Sequence, residues 1–285
     1  MIHITECPRD AMQGIKEFIP TDIKAGYINK LLKVGFDVLD FGSFVSPYAI
    51  PQMKDTPLVI SKLDLSTTQT KLLSIVANMR GALDACFFDE VSILGFPFSV
   101  SETFQQRNTN SSIEQSLKTV EQMKNLCDQR GKTLLVYLSM GFGNPYGDAW
   151  SPEIVTNWAN KIAEMGIKNI ALADTVGTAN PEDIKNVFSY LIPALPNVEF
   201  GAHLHTKPND WQTKVDAAYT AGCLRFDSAM KGFGGCPMAD DKLTGNFATE
   251  NLLAYCQQNN IETGLDIPAF DAAMIEAQSV FVGHN

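Results

Sequence analysis

Residues 169–205 read NIALADTVGTANPEDIKNVFSYLIPALPNVEFGAHLH, and this stretch decides the fold. An apolar run at 169–173 predicts a strand. Asn180-Pro181-Glu182 then supplies a cap residue and a first-turn proline for a helix over 181–191, and a second apolar run at 199–203 predicts the next strand. The same pattern recurs along the whole chain. Strands are expected at 2–6, 38–42, 71–76, 90–94, 134–139, 169–173, 199–203 and 225–229, and helices at 21–34, 80–86, 113–130, 152–165, 181–191, 211–221 and 249–259. Ser151-Pro152-Glu153 repeats the helix-opening device. Gly35, Gly131, Gly166 and Gly222 stand just past helix ends, where a left-handed residue turns the chain toward the next strand. Only the helix within 56–66 is weakly written, since Asp64-Leu-Ser-Thr-Thr68 has the composition of a loop.

Eight strand–helix repeats, with no Gly-x-Gly-x-x-Gly after the first strand, favour a closed (β/α)8 TIM barrel with additional C-terminal helices over an open doubly wound sheet. A barrel takes about 250 residues. The 285-residue chain therefore reads as one catalytic domain over 1–285, with a helical extension over 261–285 packed outside the barrel or against a second copy, which is compatible with a homodimer.

With 32 acidic and 22 basic residues the chain carries a net charge of -10, which disfavours nucleic acid and anionic membranes as partners. No apolar stretch approaches the roughly 20 residues that cross a bilayer. Met1-Ile-His-Ile-Thr5 reads as a strand, not a signal peptide, so a soluble, cytoplasmic protein is expected. The six cysteines are scattered without a C-x-x-C pair, which points to reduced thiols that mostly fill the core.

In such a barrel the chemistry gathers where strands end, on one rim. His203 and His205 are alternate residues at the end of the seventh strand, point to one side, and can grip a single ion. Asp10 and Asn246 complete a set of one carboxylate, two imidazoles and an amide oxygen. That set suits a divalent cation, Mg²⁺ or Mn²⁺ first and Zn²⁺ second, because zinc more often receives a thiolate. Arg9 beside Asp10 either stabilises an oxyanion or enolate or braces the first loop by a salt bridge. Cys236 sits in a Gly-Gly-Cys-Pro turn, where a thiol near a cation could act as acid or base. Asp40 and Ser43 follow the second strand. Asp174, at the exit of the sixth, reads equally as an ordinary polar residue or as substrate-facing.

With these residues in place, the chain resembles the hydroxymethylglutaryl-CoA lyases, within the metal-dependent barrel lyases and Claisen-type synthases. The match runs nearly end to end: Pro8-Arg9-Asp10 with Gln13, Ser43-Phe-Val-Ser-Pro47 with Pro51-Gln52-Met53, Ser101-Glu102 with Asn108 and Asn110, Asp174-Thr175, the two histidines, Gly234-Gly-Cys-Pro237, and Gly245-Asn246 with Ala248-Thr-Glu250. The resemblance implies that Asp10, His203, His205 and Asn246 hold the divalent ion, and that Arg9 stabilises the thioester enolate. It further implies that Cys236 assists proton transfer and that His203 or Asp10 takes the hydroxyl proton. Gln13, Asp40, Ser43, Asp174 and Glu250 would surround the acyl group, and Arg107 and Asn108 would meet the pantetheine and nucleotide parts of an acyl-CoA substrate. The implied reaction is cleavage of 3-hydroxy-3-methylglutaryl-CoA to acetyl-CoA and acetoacetate, as in leucine degradation and ketone-body formation. A related aldolase or Claisen synthase on another 3-hydroxy acyl or 2-oxo acid substrate is the alternative, and a catalytically idle metal-binding scaffold is the non-enzyme alternative. The chain departs from the family pattern at Thr206-Lys207, where an acidic residue is usual and a lysine would bring an ammonium near the ion. It also departs at Ala11 for glycine, at Asp40 for glutamate, and in a 236–246 loop one residue longer.

Overall fold

The computed structural model describes residues 1–235 and 244–281. Eight strands, β1 (His3–Glu6), β2 (Val38–Ser43), β3 (Lys71–Ile75), β4 (Val91–Ser99), β5 (Thr133–Ser139), β6 (Asn169–Ala173), β7 (Glu199–His203) and β8 (Arg225–Ser228), pair in sequence order into a closed barrel. Every pairing is parallel, including β8 with β1. The helices are α1 (Pro8–Gln13), α2 (Thr21–Leu31), α3 (Thr56–Ile60), α4 (Met79–Ala85), α5 (Glu102–Thr109), α6 (Ile113–Arg130), α7 (Pro152–Glu164), α8 (Pro181–Ala194), α9 (Trp211–Thr220), α10 (Thr249–Gln258) and α11 (Ile267–Phe281). Among the described residues, no helix is long and apolar enough to cross a membrane.

Alternation on the strands divides the core in two. Leu73, Ile93, Leu135, Tyr137 and Ala171 fill the barrel interior, and a larger apolar layer packs between strands and helices. The caps act as the sequence predicts. The Asn180 side chain accepts from Asp183 N–H to open α8, and that of Ser151 accepts from Ile154 N–H to open α7. The four glycines expected past helix ends all have positive φ, from 64° at Gly131 to 98° at Gly222.

The structure corrects the sequence reading at three places, α1, α5 and the fourth strand, and bears it out at the weak second helix and the extension. Two helices, α1 and α5, occupy segments not read as helical: α1 is only six residues long, and polar α5 buries little beyond Phe104 and Gln105. The fourth strand continues past 94 to Ser99; its Pro97 lies beyond the last residue paired with β3, so it forfeits no ladder bond on that side. The weak second helix is α3, five residues long, and 64–68 is irregular. In the extension, α11 packs on α2, with Phe281 edge-on to Tyr27 at 5.9 Å and stacked on Phe233 at 4.7 Å.

Glu6, at the end of β1, provides a pH test of this fold. It is fully buried and accepts Met230 N–H at 2.8 Å and the Thr249 hydroxyl at 2.5 Å. Burial dominates and raises its pKa from 4.5 to about 8, against the two hydrogen bonds that favour the carboxylate. The folded protein therefore keeps a proton that the unfolded chain releases near pH 4.5, so stability falls as pH rises from about 4.5 to about 8, by a few kcal/mol on the order of linkage. Thermal melts of Glu6→Gln are expected to decline less across this window than those of the wild type, and not to zero slope, because burial also raises the Asp40 carboxyl from 3.8 to about 6 and costs stability in the same direction in both proteins.

Candidate active site

The carboxyl ends of the strands open onto a cavity of about 420 Å³. Arg9, Asp10 and Gln13 reach it from α1, Ser43 from the end of β2, Arg107 and Asn108 from α5, and His203 and His205 from the end of β7 and the residues after it. Ligand atoms of Asp10, His203 and His205 lie within 4.8 Å of one another.

Each imidazole is turned toward the cavity by what holds its Nδ1. His203 Nδ1 is 3.1 Å from an Asp227 oxygen, and His205 Nδ1 is 2.9 Å from the Thr244 carbonyl. Burial, then His203, holds the His205 pKa below its ordinary value, so His205 is a neutral ring that donates from Nδ1 and presents the Nε2 lone pair. Burial pushes His203 the same way, but the Asp227 hydrogen bond and charge outweigh it and raise its pKa. Asp10 accepts from Arg9 at 2.9 Å, from Gln13 at 2.6 Å and, on its other oxygen, from the Asn246 amide at 2.6 Å. Burial alone would raise its pKa, yet Arg9 and the histidines hold it down as a carboxylate. Asn246 is brought to Asp10 by an antiparallel bridge between its backbone and that of His205. Gly234 packs on the same corner at φ 93°, and a Cβ there would stand 2.5 Å from the Asp10 carbonyl and 2.7 Å from Asn246 Nδ2.

One carboxylate and two Nε2-presenting imidazoles, clustered and buried, fit a divalent cation. The overlapping group Cys7, His203 and Asp227 fits less well, because burial and the surrounding carboxylates push the Cys7 thiol well above its ordinary pKa and its Sγ faces the Thr5 carbonyl.

Arg9 meets both of its sequence readings at once. Its Nε lies 3.1 and 3.0 Å from the two Asp40 oxygens, its Nη2 2.5 Å from Asp40, and its Nη1 donates to Asp10 and to Gln13 at 2.8 Å. The guanidinium is thus braced, fixed in direction and still part of the cavity wall. The two carboxylates outweigh burial and raise its pKa further, so it remains cationic at every working pH.

The HMGL-like family model matches residues 2–274. The chain belongs to that family. The Danio rerio cytoplasmic 3-hydroxy-3-methylglutaryl-CoA lyase is 32% identical over 262 residues, 91% of this chain and 77% of the relative. The Bacillus subtilis hydroxymethylglutaryl-CoA lyase is 31% identical over 262 residues, 91% of this chain and 86% of the relative. An HMG-CoA lyase structure from Acinetobacter baumannii, in complex with coenzyme A and 3-methylmalate, matches with a TM-score of 0.92 at 30% identity, covering 100% of this chain and 92% of that one. The resemblance read from the motifs holds, and the HMGL-like chain is an enzyme, a carbon–carbon lyase.

Three residues expected around the acyl group do not line the cavity of this HMGL-like barrel. Asp40 is spent on Arg9. Asp174 accepts from Lys214 Nζ at 2.8 Å and from Ala179 N–H at 2.9 Å, and Glu250 accepts from Lys231 N–H at 2.9 Å. All three hold other parts of the rim in place. Cys236 and the Asp240-Asp241-Lys242 insertion lie outside the described residues. Lys207 is exposed and absent from the cavity wall, so the departure from the family pattern does not set an ammonium in the described site.

Two HMGL-like site residues escaped the sequence reading. Asp227 carries a weak signal, a carboxylate inside an apolar strand run. Lys214 carries none, since a lysine on an amphipathic helix reads as solvated, yet it is 2% exposed and also donates to the His205 carbonyl at 2.9 Å. Lys214→Met is expected to destabilise the protein by about 3–5 kcal/mol in urea melts, because it strands the Asp174 charge in the interior.

Proposed function

We propose that the chain cleaves 3-hydroxy-3-methylglutaryl-CoA to acetyl-CoA and acetoacetate, with Mg²⁺ or Mn²⁺ as the ion and Zn²⁺ as the second choice. The observation that carries this reading is a braced guanidinium adjoining the Asp10, His203 and His205 cluster, inside a cavity whose wall, among the described residues, has two arginines and one carboxylate although the whole chain is at -10. A divalent cation held by Asp10, His203 and His205, with Asn246 beside them, would polarise the 3-hydroxyl and lower its pKa.

The hydroxyl proton is taken within the Asp10 and His203 pair. The bond between C2 and C3 then breaks. Its electron pair passes to the thioester as an enolate, while C3 becomes the ketone of acetoacetate. Arg9, unable to swing away from Asp40, donates to the enolate oxygen. A proton added at C2 completes acetyl-CoA; Cys236 is the donor that the family pattern offers. At the rim, Arg107 lies 4.5 Å above the Tyr146 ring, which holds a cation where the pantetheine and phosphates of CoA would pass.

The deciding assay is incubation of the purified protein with the thioester and Mg²⁺ or Mn²⁺. Acetoacetate should form and should cease on chelation. Absence of product at every metal loading, or product untouched by EDTA, would retire the reading.

A further inference from the structure

Eight-residue α5 carries Arg107 and Asn108 to the cavity, yet little of it is buried beyond Phe104 and Gln105. A polar helix shorter than about 12 residues is marginal in water on its own, so its place depends on what ties it to the barrel. Several of those ties come from the segment that follows β5. On one carboxylate oxygen Asp148 accepts the Ser101 hydroxyl at 2.5 Å and Thr103 N–H at 2.9 Å, and on the other the Thr103 hydroxyl at 2.9 Å. Ser101 is the cap of α5 and itself accepts Phe104 N–H at 3.1 Å, so the latch closes on the first turn. The hydrogen bonds from Ser101 and then Thr103 hold the Asp148 pKa below its ordinary value, and a carboxylate charge faces the positive end of the helix.

Asp148 is fixed in turn by its own loop. Asn144 Oδ1 accepts Tyr146 N–H at 3.0 Å and Asp148 N–H at 3.1 Å, and Asn144 Nδ2 donates to the Asp148 carbonyl at 2.9 Å. The same turn presents the Tyr146 ring, which stacks on Phe104 at 6.4 Å and lies under the Arg107 guanidinium at 4.5 Å. One short turn therefore grips α5 at its start through a charge and farther along through a ring, and Asp148 does so without lining the cavity.

We infer that Asp148 is a positioning residue: by latching the start of α5 it sets where Arg107 and Asn108 stand, and with them the affinity for the coenzyme A end of the substrate, while bond cleavage at the metal cluster proceeds without it. The inference deepens the acyl-CoA reading given above and rests on it.

The test compares Asp148→Ala, Asp148→Asn and Asn180→Ala with the wild type in steady-state cleavage of the thioester, in calorimetric titration with coenzyme A itself, and in hydrogen exchange read by mass spectrometry. Apparent affinity scales with the fraction of molecules in which α5 is seated, so in Asp148→Ala both KM and the coenzyme A dissociation constant should rise about tenfold. Amides over 103–110 should exchange faster by a similar factor. At saturating thioester kcat, and separately Mn²⁺ affinity, should stay within about twofold of wild type. Asp148→Asn keeps an oxygen acceptor but loses the charge and should fall between, so it remains informative if Asp148→Ala folds poorly. Asn180→Ala removes the cap of α8 instead; its melting temperature should drop while its KM stays, which separates positioning from general loosening.

Coenzyme A affinity and α5 exchange that are unchanged in Asp148→Ala overturn the inference. A fall in kcat or Mn²⁺ affinity as large as the rise in KM, or an equal rise of KM in Asn180→Ala, overturns it as well. A wild type that binds coenzyme A but forms no acetoacetate retires the lyase reading, and the affinity and exchange arms then decide the role of Asp148; a wild type that binds no coenzyme A overturns the inference itself.

Discussion

Replacing Arg9 by Met is expected to lower kcat for thioester cleavage by about 10³-fold, toward the upper end of what a single oxyanion donor supplies. Mn²⁺ should still bind, because Asp10, His203 and His205 remain. The structural argument is directional. Asp40 holds Nε and Nη2, so the guanidinium meets the cavity along a fixed line and pays no reorganisation when charge develops on the thioester. The same substitution strands Asp40 and Asp10, so a stability loss is expected alongside and melts must accompany the kinetics. Arg9→Lys separates the two effects: it restores a counter-charge and most of the stability, but a point charge on a flexible stem cannot hold Asp40 and donate toward substrate together, and turnover should stay low. A scaffold that only binds metal would lose stability in Arg9→Met and nothing else, since it has no turnover to lose.

The second large effect is expected at Asp10. Asp10→Asn keeps the size of the side chain but removes the only carboxylate of the metal cluster, and Mn²⁺ affinity measured by electron paramagnetic resonance should fall more than about 100-fold, beyond what loss of an outer hydrogen-bonding partner costs. The change also breaks the pattern that Asp10 organises. Arg9, Gln13 and Asn246 all donate to it, and an amide nitrogen in place of one oxygen would face one of those donors. Undiminished Mn²⁺ binding in Asp10→Asn would mean that the cluster is not the cation site. By contrast, Asp227→Asn leaves all three ligand groups present and loosens only the direction of His203, so its metal loss should be smaller, about 10- to 100-fold.

Much of the site was legible because its residue types stand at strand ends, where a barrel gathers them. His203 and His205 declare themselves by alternation, and Pro8-Arg9-Asp10 by following the first strand directly. Asp40 and Asp174 show why the rest was not legible. Both stand at strand ends beside genuine cavity residues, and nothing local distinguishes a carboxylate that faces a substrate from one that anchors a neighbour. The partner that decides, Arg9 for Asp40 and Lys214 for Asp174, lies 31 and 40 residues away.

The sequence by itself determined the barrel, its strand order, its helix caps and the chemical types at its rim, because apolar period, capping and turn chemistry act over a few residues and are written where they act. Only the tertiary structure decided how charges pair across the rim, that Asp227 directs His203, and that Lys214 is buried against Asp174. Those outcomes depend on which side chains meet after closure, and burial makes the pairing of each charge a matter of several kcal/mol.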